Sequence, residues 1–109
     1  MKISDFVAIM DAIDLPHVYY SFRENDAPKL PYFVWYFEGS ENMPADDSVY
    51  VEILSPVLEL YTAEKSFETE KKVEDILNNS GIFWNKTETF INSEKMFQIF
   101  YELGDIHGR

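Results

Sequence analysis

The 109-residue chain has no cysteine, four glycines, two histidines, and nine basic residues against 20 acidic ones. Each shortage removes a class of chemistry. Without cysteine there is no disulfide framework and no thiolate metal site. The few glycines form no phosphate-cradling loop, and no serine sits in a nucleophile elbow. His17 and His107 lie far apart, neither with a carboxylate or second histidine at metal-ligand spacing, so packing or a solvated side chain is expected of both. A net charge of −11 disfavours sequence-specific nucleic-acid binding and anionic lipid, which repel an acidic surface. No apolar run has the length of a membrane helix. The opening MKISDFVAIMDAIDLP carries acids in its apolar part and lacks a small-residue cleavage site. It reads as part of the fold, not as a signal peptide, and a cytoplasmic location is expected.

Carboxylates are plentiful, but they do not converge in the sequence on a recognisable site. Glu41, Asp46 and Asp47 in ENMPADD form the best calcium-like cluster, yet they lack the alternating spacing and central glycine of an EF-hand loop. No catalytic residue, metal or cofactor is expected, and the chain reads as non-enzymatic.

What the chain has is rings. Aromatics are 17% of the residues and apolar residues 46%, enough for a single modest core despite the charge. The run YFVWYF, Tyr32 to Phe37, places five aromatics in six positions. Single-strand nucleic-acid binders stack bases on such strands, but they surround the rings with Lys and Arg. Here Glu38, Glu41, Asp46 and Asp47 follow, and the electrostatics oppose that use.

Periodicity divides the chain into short elements. Ile3, Phe6, Val7, Met10 and Ile13 have helical spacing, with Ser4 as candidate N-cap and Pro16 as the stop. HVYYSF, 17–22, reads as a short strand and RENDAPKLP, 23–31, as a loop. Tyr32 to Glu38 is a strand, and GSENMPADDS, Gly39 to Ser48, a long acidic loop whose Glu41, Asn42, Met43, Asp46 and Asp47 are candidate contacts. Val49 to Thr62 is extended, with Pro56 marking an edge, a bulge or a break. Ser66 caps a second helix that runs to about Asn79, with Val73, Ile76 and Leu77 apolar and Phe67 or Thr69 as possible additions. Ile82 to Ile91 and Lys95 to Leu103 form a hairpin, and the tail after it is expected to be loose. The expected fold is one α+β domain, 1–109, in the order α-β-β-β-α-β-β. Its sheet of four to six strands is mainly antiparallel, possibly mixed, with both helices on one face.

Alternation along the strands is unusual. Phe33, Trp35 and Phe37 point one way and Tyr32, Val34 and Tyr36 the other, so both faces are apolar, where a half-exposed sheet alternates apolar with polar. The expected core is Phe6, Met10, Phe33, Trp35, Phe37, Leu60, Val73, Ile76 and Leu77. Helices cover one face. Either a loop or a curled sheet covers the other, or the chain assembles through it, with Tyr32, Val34, Tyr36, Phe83 and Tyr101 as candidate interface residues.

The segments Leu30-Pro31-Tyr32, Glu59-Leu60-Tyr61-Thr62, Glu70 to Leu77, Lys86 to Lys95 and Tyr101-Glu102 resemble a family of short tail-associated proteins of long-tailed phages and prophages of Gram-positive bacteria. The resemblance covers Leu30 to Glu102, and its motifs are structural. It implies a virion assembly role, as a tail terminator or tail-completion protein that forms a ring, often hexameric, at the head-proximal end of the tail. The implied partners are further copies of the chain, the tail-tube protein and a head-completion or connector protein. The implied location is the virion tail or neck, after assembly in the host cytoplasm. Head closure or head–tail joining is a related alternative. A different one is an acidic protein that imitates nucleic acid and blocks a host DNA-binding enzyme, which the net charge permits.

Overall fold

The computed structural model of the chain describes residues 1–23, 25–44 and 50–107, with the backbone alone for 41–44, 50 and 51. The elements are α1 (Ile3–Ala12), β1 (His17–Tyr19), β2 (Tyr32–Pro44), β3 (Tyr50–Thr62), α2 (Phe67–Asn79), β4 (Trp84–Ile91), β5 (Met96–Leu103) and β6 (Ile106–His107). The architecture is α+β, two helices on one six-stranded mixed sheet. The strands run β1-β2-β3-β5-β4 across the sheet, and β6 pairs with β3.

Helix α1 forms because its apolar residues return every three or four positions, burying Phe6 and Met10. Lys2, not Ser4, occupies the cap position, and its N–H donates to Asp5 Oδ2 at 3.1 Å. A carboxylate in the first turn also suits the positive end of the helix dipole. Helix α2 starts at Ser66, whose Oγ accepts from the Thr69 N–H at 3.1 Å. It stops at a left-handed Gly81 (φ 71°), after which the Ile82 N–H returns to the Leu77 carbonyl at 2.9 Å. Val73 and Leu77 are buried and Ile76 packs on the core. Phe67 is exposed, with Lys65 Nζ 4.6 Å from its ring centre, and the buried polar residue of this helix is Glu70.

Both helices lie on the sheet face that carries Phe33, Trp35 and Phe37. Phe6 meets Trp35 edge-on at 5.4 Å and Phe37 at 6.0 Å. Leu58 and Leu60 of β3 and Ile99 and Tyr101 of β5 share this face by register and complete the core.

Several elements differ from expectation, each for a physical reason. Strand β1 pairs parallel to β2, His17 opposite Phe33 and Tyr19 opposite Trp35. A parallel pair cannot be joined by a tight turn, so residues 20–31 must cross over the sheet. Strand β2 runs on to Pro44 and pairs Gly39 to Pro44 with Tyr50 to Ser55, so most of the expected acidic loop is one side of a long two-stranded arm. At Pro56 the bulge among the expected readings holds, and β3 continues through it. Pro56 is paired with Phe37 next to an irregularity in β2 between Phe37 and Gly39, where β3 also passes from β5 to β6. The tail is not loose through 107: β6 pairs with Ile53 and Leu54, Ile106 is 4% exposed, and the His107 N–H donates to the Met1 carbonyl at 3.0 Å.

Candidate functional site

The register places Tyr32, Val34 and Tyr36 of β2, Glu59 and Tyr61 of β3, and Gln98 and Phe100 of β5 on the sheet face away from the helices. The crossover from β1 folds back over part of this face. The Tyr20 N–H donates to the Trp35 carbonyl at 2.8 Å, and Tyr20 has a left-handed backbone (φ 73°). The turn sets the Tyr20 ring edge-on to Tyr36 at 5.6 Å and the Phe22 ring edge-on to Tyr32 at 5.1 Å. Tyr32 leans on Tyr61 at 5.4 Å. These rings, with Ser21, Ala27, Val34 and Glu59, enclose an open cup of about 530 Å³.

Glu59 lies half-buried within it. Tyr36 donates its hydroxyl to Glu59 Oε2, Tyr61 donates to Oε1 at 2.5 Å, and Gln98 Nε2 donates to Oε1 at 3.2 Å and to the Tyr61 hydroxyl at 3.0 Å. Burial and the hydrogen bond to Glu59 push the Tyr36 and Tyr61 hydroxyls well above their ordinary range. Both therefore stay neutral donors at physiological pH.

The expected interface residues do not form one patch. Tyr32 and Tyr36 line the cup, half-buried. Val34 is on the same face but only 6% exposed, because the crossover covers it. Tyr101 belongs to the opposite, helix-covered face. It is fully buried, and its hydroxyl donates to Glu74 at 2.6 Å, so it is not an interface residue of this fold. Phe83 precedes β4 and is 84% exposed, away from the cup. Glu41, Asn42 and Met43 fall in the arm part of β2, with side chains outside the described residues, and Asp46 and Asp47 lie outside them altogether. Sequence reasoning passed over Glu59, Tyr20 and Phe22. A lone acid between Val57 and Tyr61 on one side of an apolar strand, VLELY, was the signal for Glu59; nothing local marked the other two.

The helix face carries its own ionic cluster. Glu70 accepts from Lys65 at 2.6 Å and from Lys86 at 2.9 Å, and Lys86 also reaches Glu74 at 2.8 Å. Lys65 also pairs with Glu88 of β4. Each carboxylate and each lysine here is satisfied by another member, which makes the cluster a clamp between α2 and β4. His17 stacks on Phe33 at 4.6 Å, its ring nitrogens 2.8 Å from the Leu15 carbonyl and 2.9 Å from Asp11 Oδ1. Among the described residues no three His, Asp or Glu side chains converge in a metal-holding arrangement, and no helix is long and apolar enough to cross a membrane. No protein-family model matches the chain, and no curated protein matches it significantly.

Proposed function

We propose that this chain is a non-enzymatic assembly protein of a long-tailed phage, a tail terminator or tail-completion subunit that acts in a ring at the head-proximal end of the tail. The observation that carries the docking part of this reading is the cup around Glu59. The face away from the helices keeps tyrosine rings that the crossover covers only in part. A subunit that works by docking needs apolar surface left open by its own fold, and tyrosine is among the residues that anchor protein interfaces. The β2–β3 arm offers a second surface, and a closed ring needs two complementary patches on every copy. The place in a phage tail rests on the sequence resemblance over Leu30 to Glu102. The net charge of −11 suits it, since an acidic ring lets DNA pass without adhering.

The partners in this reading are further copies, the tail-tube protein, and the head-completion or connector protein. The test is deletion of the gene from a phage or prophage that carries it, followed by electron microscopy of the tails. Tails of uncontrolled length, or tails that fail to join heads, are expected. Normal-length tails joined to heads overturn the role. Mass measurement of the purified protein, alone and with tail tubes, then separates preformed rings from rings that close on tube ends.

A further inference from the structure

We infer that the cup around Glu59 receives an arginine side chain from a basic segment of a partner protein. The inference rests on the reading that this face docks a protein, and adds the chemistry by which it does so.

The carboxylate is the first reason. A carboxylate offers about four lone-pair sites, and three donors reach Glu59: Tyr36 at Oε2, and Tyr61 and Gln98 at Oε1. All three are neutral, so the negative charge is held in place without being balanced, and Oε2 keeps one acceptor site. Among the described residues no basic residue lines the cup, and Glu59 has no lysine, arginine or histidine at ion-pair distance, unlike Glu70 and Glu74 on the other face. The rings are the second reason. Tyr20, Phe22, Tyr32, Tyr36 and Tyr61 surround the carboxylate, and aromatic faces attract cations through their quadrupole. Guanidinium is planar, weakly hydrated, stacks on rings and forks onto carboxylates, so it fits this mixture better than a compact ammonium. The raised Tyr36 and Tyr61 hydroxyls keep the wall neutral. Long-range charge is the third reason. A chain of net charge −11 draws a basic segment of another protein towards it.

The test is a titration of the whole chain with a blocked Gly-Arg-Gly tripeptide and its citrulline counterpart, which keeps the shape and loses the charge, followed by NMR. The arginine peptide is expected to move the ring resonances of Tyr32, Tyr36 and Tyr61 saturably, with its own side-chain methylene protons shifted upfield by the rings. The citrulline peptide is expected to do neither. Glu59→Gln should weaken arginine binding about tenfold, the scale of one charge-assisted contact. Tyr36→Phe, which keeps the ring, should retain binding, and Tyr36→Leu should lose most of it even if Glu59→Gln fails to fold. Equal response to citrulline, unchanged affinity in both Glu59→Gln and Tyr36→Leu, or cup resonances that follow protein concentration instead of peptide would overturn the inference. The last result would mark a second copy as the occupant. A chain that binds tail tubes but not the arginine peptide loses this inference and keeps the docking role. A chain that binds the peptide and ignores tail tubes loses the tail assignment and keeps the cup.

Discussion

Tyr101 donates its hydroxyl to Glu74 at 2.6 Å, tying β5 to α2 through a ring with no solvent exposure. Trp84 packs edge-on against the same ring at 5.7 Å. A tyrosine in an aromatic strand resembles an interface anchor, yet here it is a polar contact made inside the core. Tyr101→Phe keeps the packing and leaves Glu74 with Lys86 as a donor. The expected cost is about 1.5–3 kcal/mol, the worth of one hydrogen bond to a charged acceptor, with assembly unchanged. Chemical denaturation of the two proteins measures it.

Glu70 sets an acid limit on the fold. Burial alone pushes its carboxyl up, but hydrogen bonds from Lys65 and Lys86 outweigh burial and hold it below the ordinary value of 4.5. A carboxylate lowered in the folded state contributes stability that is complete above its unfolded value and is lost as pH falls through the folded one. Melting temperature should therefore fall steeply below about pH 4.5 in the native chain and more gently in Glu70→Gln, whose deficit is largest at neutral pH. Parallel curves would show that the lysines do not act through this carboxylate.

The two faces of β2 should separate stability from docking. Trp35 is 8% exposed and sits against Phe6 and Phe37. Trp35→Ala should cost about 3–5 kcal/mol by leaving a cavity in the core. Tyr36→Lys, on the cup wall, should leave the fold cooperative and abolish partner capture, because its ammonium takes the place of the partner's cation beside Glu59 and a ring is lost. Thermal melts and pull-down on tail tubes measure the two effects, and a reversed pattern would mean that the faces are exchanged.

Ser66 should matter to α2 in proportion to its single cap bond. Ser66→Ala removes the acceptor for the Thr69 N–H and should cost about 1 kcal/mol. Hydrogen exchange at residues 67–70 should accelerate more than exchange at Leu77, since the loss is local to the first turn.

Alternation alone was enough to place Phe33, Trp35 and Phe37 together on one side of β2, because a period of two is local. The same period puts Phe97, Ile99 and Tyr101 on one side of β5. What alternation does not say is which group of β5 shares a face with Trp35, and that depends on the antiparallel register of β3 with β5. Tyr101 went to the wrong side for this reason. The parallel placement of β1 was equally hidden: HVYYSF shows an extended segment, while its direction beside β2 depends on where residues 20–31 travel. Glu59 was legible as an acid in an apolar strand, but its tyrosine donors come from β2 and from its own strand two residues on, and only the paired sheet brings them together.

The irregularity between Phe37 and Gly39 carries a consequence for the arm. Glu38 has no partner in β3, so Phe37 lies opposite Pro56 and Gly39 opposite Ser55. One residue is thereby spent without advancing along β3, and parity reverses: Tyr32, Val34 and Tyr36 lie on the cup side, whereas Ser40, opposite the buried Leu54, lies on the helix side. Glu38 works as a phase inverter. Its deletion would straighten β2 and keep Gly39 opposite Ser55 and Ser40 opposite Leu54, whereas pairing Glu38 itself with Ser55 would slide Ser40 to Ile53 and onto the cup side, so the unpaired residue fixes which way the start of the arm faces.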